Sequence, residues 1–226
     1  MTLLDRPIWS SLTTHHERFS RGGDLARRFL PDVNKFVCGV DDGEAAMRAA
    51  SALVGKGEEA YFLQVQEIRI PDGLTATFQA LGVQMVREDP SFLPVDPSDM
   101  IALGEEDAPE MLALATETKP GPFLARTHEM GQFWGIRIDG RLAAMAGERM
   151  RFPGYTEVSG VCAHPDFRGQ GLAKRLSAHV TNEIIQRGDT PFLHAWADNA
   201  TAIGLYESLG FSIRCHVNAA VVERAD

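Results

Sequence analysis

Residues 161–173 read Val161-Cys162-Ala163-His164-Pro165-Asp166-Phe167-Arg168-Gly169-Gln170-Gly171-Leu172-Ala173. A strand running from Thr156 to Ala163 is closed by His164-Pro165, a turn rich in small residues follows, and a helix opens at Gly171. The helix is read from Leu172, Leu176, Val180 and Ile184, which recur every four residues up to a stop at Arg187-Gly188. Strand, glycine turn and helix start make an anion site, because the unbonded N–H groups and the positive end of the helix dipole point out of the N-terminus together. Gly169 and Gly171 leave the backbone open to a diphosphate, and Arg168 adds a planar cation.

The kind of diphosphate follows by elimination. A Walker A loop needs Gly-Lys-Ser/Thr, whereas this run ends Gly-Leu-Ala-Lys. A dinucleotide fingerprint needs a third glycine and an acidic residue on a strand end; position 174 is Lys, and Asp189 follows the helix on a loop. Arg168-x-x-Gly171-x-Ala173 remains. A second segment stands downstream on a strand and helix of its own: Phe192-Leu193-His194-Ala195-Trp196-Ala197-Asp198-Asn199, continuing to Leu205-Tyr206-Glu207-Ser208-Leu209-Gly210-Phe211. The pair, in this order and spacing, resembles the GNAT superfamily of acyl-CoA-dependent N-acetyltransferases, whose signature is Arg/Gln-x-x-Gly-x-Gly/Ala. Together with Glu157-Val158-Ser159-Gly160-Val161, the wording is similar to the FR47-like branch. The resemblance covers residues 98–226.

It implies a mixed twisted sheet flanked by helices, with acetyl-CoA or another acyl-CoA as cosubstrate and no metal. The cofactor residues it implies are Val161, Cys162 and Ala163 on the strand, whose backbone at Val161 and Ala163 pairs with the pantetheine arm. The amides from Arg168 through Gly169, Gln170, Gly171 and Leu172 to Ala173 take the pyrophosphate. Tyr206 matches the family tyrosine that protonates the departing thiolate, and Asn199 is both a cofactor contact and a helix N-cap. Glu157 is the candidate base, since an alkyl ammonium of pKa about 10.4 must lose a proton before it attacks. Glu148 and water compete for that role. Simple alternation places Glu157, Ser159, Val161 and Ala163 on one face and Cys162 on the other, in the core.

Elsewhere, Asp139-Gly140 marks a hairpin between strands at Phe133–Ile138 and Arg141–Met150. Helices are expected at Glu106–Thr118, Phe123–Met130 and Asn199–Leu209, and strands at Met100–Leu103 and from Phe211 to Val222. Pro90, Pro94 and Pro97 interrupt any helix or central strand. They are read as a linker, 90–97, between an N-terminal αβ domain, 1–89, and the acetyltransferase domain, 98–226. The N-terminal part is at best a degenerate half-copy of the same fold. Its expected order is a helix over Pro7–Phe19, a strand over Lys35–Val40, a helix after Asp42 or Gly43, a strand over Ala60–Val65, a short helix over Gly73–Ala80 and a strand over Val83–Val86.

The chain has 226 residues, 22 of them basic and 31 acidic, for a net charge of −9. Residues 1–97 carry 10 basic and 14 acidic, and the remainder 12 and 17, so neither half has the basic excess of a nucleic-acid binder. There is no basic n-region with an apolar core at the start and no membrane-length apolar run. Cys38, Cys162 and Cys215 are too few and too scattered for a disulfide framework, so a reduced cytoplasmic protein is the default. The seven histidines lack metal-ligand spacing. The expectation is an acetyl-CoA-dependent N-acetyltransferase acting on a small-molecule or peptide amine, with no nucleic-acid or membrane partner and a homodimer not excluded. A non-catalytic acyl-CoA sensor and a longer-chain or amino-acid N-acyltransferase are the competing classes.

Overall fold

Along the chain, a computed structural model that describes residues 2–224 runs α1 (Pro7–Leu12), β1 (Ser20–Gly22), β2 (Ala26–Phe29), β3 (Val37–Gly39), α2 (Glu44–Ala52), β4 (Glu59–Gln64) and β5 (Thr75–Val86). It continues with β6 (Met100–Leu103), α3 (Ala108–Thr118), β7 (Phe133–Ile138), β8 (Arg141–Phe152), β9 (Tyr155–Ala163), α4 (Leu172–Gln186), β10 (Thr190–Trp196), α5 (Ala200–Glu207) and β11 (Ser212–Glu223). Strands β4 to β11 form one mixed sheet in the order β4-β11-β5-β10-β9-β8-β7-β6, and β1-β2-β3 form a small second sheet. In the large sheet β9 and β10 run parallel, and the other pairs among the described residues are antiparallel.

Both faces of the large sheet are covered, as its apolar alternation requires. Ala144 and Ala146 pack with Leu176, Val180 and Ile184 of α4, while Met145 between them packs with Met111 and Leu114 of α3. Full burial of an aliphatic side chain contributes about 1.5–3 kcal/mol, so the α4 stripe holds that helix against the sheet. On the α3 side, Ile8 and Leu12 of α1 meet Met150, Phe152 and Phe192; Ala50 of α2 meets Phe62 and Val222 in a separate cluster, built from the alternate residues of β3 and β4.

The division at 90–97 takes a different form from the one the prolines suggest. β4 and β5 precede that segment yet pair with β11 and β10, which follow it, so the sheet is continuous across it. The proline segment straps across α4, where Asn182 bonds both the amide and the carbonyl of Leu93, at 2.8 and 2.9 Å. The helix expected over Gly73–Ala80 is instead the first half of β5, because β11 pairs with it from Thr75 to Val86 and ladder bonding outweighs the local turn signal. The first helix stops at Leu12, where the Thr13 and Thr14 hydroxyls bond back to the Trp9 and Ser10 carbonyls. Only a 3-10 turn, Thr127–Met130, forms in the Phe123–Met130 stretch, and the β1–β2 pair was not foreseen from sequence. The remaining C-terminal elements lie within a few residues of expectation.

Candidate active site

The parallel ladder between β9 and β10 ends at Glu157 opposite Phe192, yet β9 runs on to Ala163 and β10 to Trp196. The two strands therefore diverge, leaving the backbone of β9 past Glu157 without a partner on that side. Within this stretch Gly160 adopts φ +63, and the β8 register shifts so that Gly147 faces Ser159 while Met145 faces Cys162. One extra residue in β9 is a bulge, and a bulge moves every later side chain to the other face. This corrects the one-face expectation: Cys162 joins Met145 in the α3 core, and Val161 and Ala163 pack toward α4. A Cβ on Gly160 would lie 2.7 Å from Phe133, so glycine is required both for its φ and for its lack of a side chain.

Past β9 a 3-10 turn, Pro165–Phe167, leads to Gly169 and Gly171, both left-handed, with Gly171 (φ +74) as the α4 N-cap. No side chain caps this end, and the first amide bonded back is Arg175 to Gly171, at 3.0 Å. The amides of Leu172, Ala173 and Lys174 are thus free to meet an anion. Arg168, Gly169 and Gln170 are exposed, while the Leu172 side chain belongs to the core. A Cβ at Gly169 or Gly171 meets no protein atom within 4 Å, so these glycines serve backbone conformation and leave the loop open.

Glu157 is 0% exposed and sits in a network that sequence reading missed. Arg149 donates from Nε to its Oε2 at 2.8 Å and from Nη2 to its Oε1 at 2.7 Å, and the Met150 amide adds a third bond at 3.3 Å. His194 Nδ1 lies 2.7 Å from Oε1. Donor directions assign the histidine hydrogen. Arg214 can only donate, so Gln84 Oε1 accepts from it, and Gln84 Nε2 donates to the Leu4 carbonyl and to His194 Nε2. His194 Nδ1 therefore carries the hydrogen and donates to Glu157. Burial alone would raise the Glu157 pKa, but Arg149 and His194 overrule it and hold it down to about 2. A carboxylate so placed is ionised and has both oxygens engaged, which makes it a weak proton acceptor.

Tyr206, on α5, packs edge-on to Phe211 with ring centroids 6.0 Å apart. Burial, and then the Glu157 charge, push its phenol up to about 12, so it stays protonated. Asn199 caps α5 by accepting from the Ala202 amide at 3.0 Å. Glu148 pairs across the ladder with Val158 and binds Arg187 at 2.7 Å, and its pKa is raised, first of all by burial. Cys162 is buried, and burial pushes its thiol up to about 11, away from nucleophile chemistry. Among the described residues no three His, Cys, Asp or Glu gather as a metal site, and no helix is long and apolar enough to cross a membrane.

On the α3 side a small cavity is lined by Gly121, Phe123, Thr127, Phe133, Arg149 and Ser159. Arg149 and His194 could have been suspected only as isolated polar residues in apolar strands; their meeting with Glu157 depends on the register Phe192–Glu157. Residues near the N-terminus hold the loop that walls this cavity. Arg126 binds Asp32 at 3.0 Å, Thr127 donates to the Val33 carbonyl at 2.6 Å, and Phe36 lies under the Arg149 guanidinium at 4.9 Å.

Residues 134–219 match the family model described as FR47-like protein. The chain is 39% identical over 75 residues to the [ribosomal protein bS18]-alanine N-acetyltransferase of Escherichia coli K12; the match takes in 33% of this chain and 50% of that one, so it spans about half the length of that relative. The crystal structure of a GNAT-family protein from Novosphingobium aromaticivorans DSM 12444 is 40% identical and superposes with a TM-score of 0.93 over 100% of both chains. A GCN5-related N-acetyltransferase from Kribbella flavida shares the fold, at TM-score 0.67 and 21% identity, over 100% of this chain and 97% of that one. A strand that leaves its parallel neighbour, a glycine turn and a long helix at the splay are thus the frame of an acyl-CoA-type transferase. The chain belongs to the GNAT superfamily of N-acetyltransferases.

Proposed function

We propose that this chain transfers the acetyl group of acetyl-CoA to a primary amine by direct attack within a ternary complex. The observation that carries the reading is the splay of β9 from β10 beside the uncapped, glycine-turned head of α4. A pantetheine arm fits the open β9 edge as an added strand on the backbone of Val161 and Ala163. The amides from Arg168 to Ala173 fit a pyrophosphate, with Asn199 contributing from the head of α5. The alanine N-acetyltransferase activity for which the bS18 relatives are named supports a primary amine as acceptor.

In this reading the neutral amine forms the new C–N bond at the thioester carbon, and the amide of Val161 or a neighbour polarises the carbonyl. As the C–S bond breaks, Tyr206 donates to the sulfur. A phenol near 12 is a weaker acid than an ordinary thiol near 8.5, but the burial that raises the phenol raises the departing thiol as well. The proton shed by nitrogen leaves through water and restores the phenol. Glu157, already held by four donors, serves by its charge, keeping Tyr206 protonated. Residues 1–89 close the acceptor side through Asp32, Val33 and Phe36, and the free thiols suit a reducing, cytoplasmic setting.

The test is thiol release from acetyl-CoA across a panel of amines, run beside a thermal-shift titration with acetyl-CoA. Tyr206→Phe is expected to lower kcat by roughly 10²-fold or more, the size of a lost general acid, with acetyl-CoA affinity retained. Absence of any shift at saturating acetyl-CoA would overturn the reading.

A further inference from the structure

The Arg149–Glu157 pair uses only one edge of the guanidinium. Nε and Nη2 are committed to the carboxylate, whereas Nη1 has no hydrogen-bond partner among the described residues and borders the small cavity beside Gly121. Ser159 lines the same cavity, and its hydroxyl is likewise without a partner among the described residues. Phe123 and Phe133, edge to face at 5.5 Å, wall it together with Pro120 and Pro122. The cavity is about 10 Å³, room at its floor for one water-sized atom. The arginine is also fixed: Phe36 stacks on its guanidinium and Glu157 clamps it, so Nη1 is presented in one direction at little entropic cost.

A fixed guanidinium donor and a serine on the same one-atom space between aromatic walls form a receptor for an oxygen. Ser159 stands two residues from Val161 across the Gly160 bulge, a separation of at most about 7 Å along the chain. One hydrogen bond of about 2.8 Å plus the roughly 3 Å between an amine nitrogen and an oxygen on the adjacent carbon spans that gap. The Arg149 charge is already balanced by Glu157, so the space accepts a neutral amide carbonyl as well as a carboxylate.

We infer that Arg149 Nη1 and Ser159 Oγ hold an oxygen of the acceptor, which makes the acceptor an α-aminoacyl group, either a free amino acid or the N-terminal residue of a chain. The inference rests on the acetyl-transfer reading, because that reading sets the reacting carbon near Val161. Alkylamines without the oxygen and lysine side chains, whose amine lies far from any carbonyl, are then poor acceptors.

The experiment compares L-alanine, a set of L-amino acid amides including alaninamide, and isopropylamine, which carries a methyl group where alaninamide has its carboxamide. Thiol release is followed with the full chain. At least one oxygen-bearing acceptor is expected to exceed isopropylamine tenfold or more in kcat/KM expressed per neutral amine, which removes the advantage an α-amine of pKa about 8 holds over an alkylamine near 10.4. Alanine against alaninamide separates a free amino acid from a chain N-terminus. Ser159→Ala is expected to narrow the gap at least threefold through KM, with acetyl-CoA affinity retained. Arg149→Lys is expected to narrow it further, and the wild-type comparison and Ser159→Ala carry the test should that variant not fold. Isopropylamine turned over as well as every amide would overturn the inference and leave acetyl transfer standing. So would acetyl-CoA binding with no turnover of any α-aminoacyl acceptor. No acetyl-CoA binding at all would overturn the underlying reading as well.

Discussion

Arg149 and Glu157 face each other across adjacent strands through two parallel hydrogen bonds, of 2.8 and 2.7 Å, with the carboxylate wholly buried. Removing one partner of a buried pair leaves an uncompensated charge, at a cost of about 3–5 kcal/mol. Glu157→Gln keeps the volume but loses the charge and sets an amide donor against Arg149 or His194. Its denaturant midpoint is expected to fall well below wild type at pH 7. A midpoint unchanged within error would mean that the pair contributes nothing to folding.

The same pair sets an acid limit. Glu157 is held near 2 in the fold against an ordinary 4.5, so its contribution is complete above pH 4.5 and is lost as pH falls toward 2. Integrated, that is about 3 kcal/mol. His16 acts in a higher window. Burial lowers its pKa from 6.5 to about 4, against the pull of its bond to the Met130 carbonyl. The unfolded chain binds a proton there that the fold refuses, so stability is expected to decline between pH 6.5 and 4, before Glu157 titrates. Urea unfolding at half-unit steps of pH, repeated on Glu157→Gln, separates the two: the variant should keep the upper decline and lose much of the lower one.

How much of this was legible in the sequence depended on whether the signal was local. The glycine turn from Gly169 to Gly171, the Asn199 cap and the apolar stripe of α4 are carried by neighbours in the chain, and the structure reproduces each. The bulge at Gly160 was not legible, because a lone glycine in a strand reads equally as alternation continued, and so Val161 and Ala163 were placed on the Glu157 face. The Glu157 network was hidden for a different reason. Gln84, Arg149, Glu157 and His194 come from four strands, and only the pairing of β10 with both β5 and β9 brings them together. β5 shows the same limit, its first half declared by a partner more than a hundred residues later.

Asn199 separates a structural role from a binding role. Asn199→Ala removes the bond to the Ala202 amide and is expected to cost about 1 kcal/mol, while Asn199→Ser restores most of that stability. If Asn199 also touches the cosubstrate, acetyl-CoA affinity falls in both variants. Recovery of stability and affinity together in Asn199→Ser would show that the cap was the whole effect.

Gly160 offers the sharpest stability test near the site. At φ +63 an alanine pays about 1–2 kcal/mol for the left-handed backbone, and its Cβ, 2.7 Å from the Phe133 ring, must also push that ring into the α3 core. Gly160→Ala is therefore expected to destabilise by about 3 kcal/mol or more. Gly171→Ala shares the backbone strain but has open space around its Cβ, so it should lose only about 1–2 kcal/mol. Ligand affinity should rank them the other way. The Gly171 Cβ would project where a diphosphate approaches the α4 amides, so acetyl-CoA binding suffers more at Gly171 than at Gly160. Paired measurements of the denaturant midpoint and acetyl-CoA Kd on the two variants decide it: equal affinity losses would mean that the head of α4 is not where the phosphates sit.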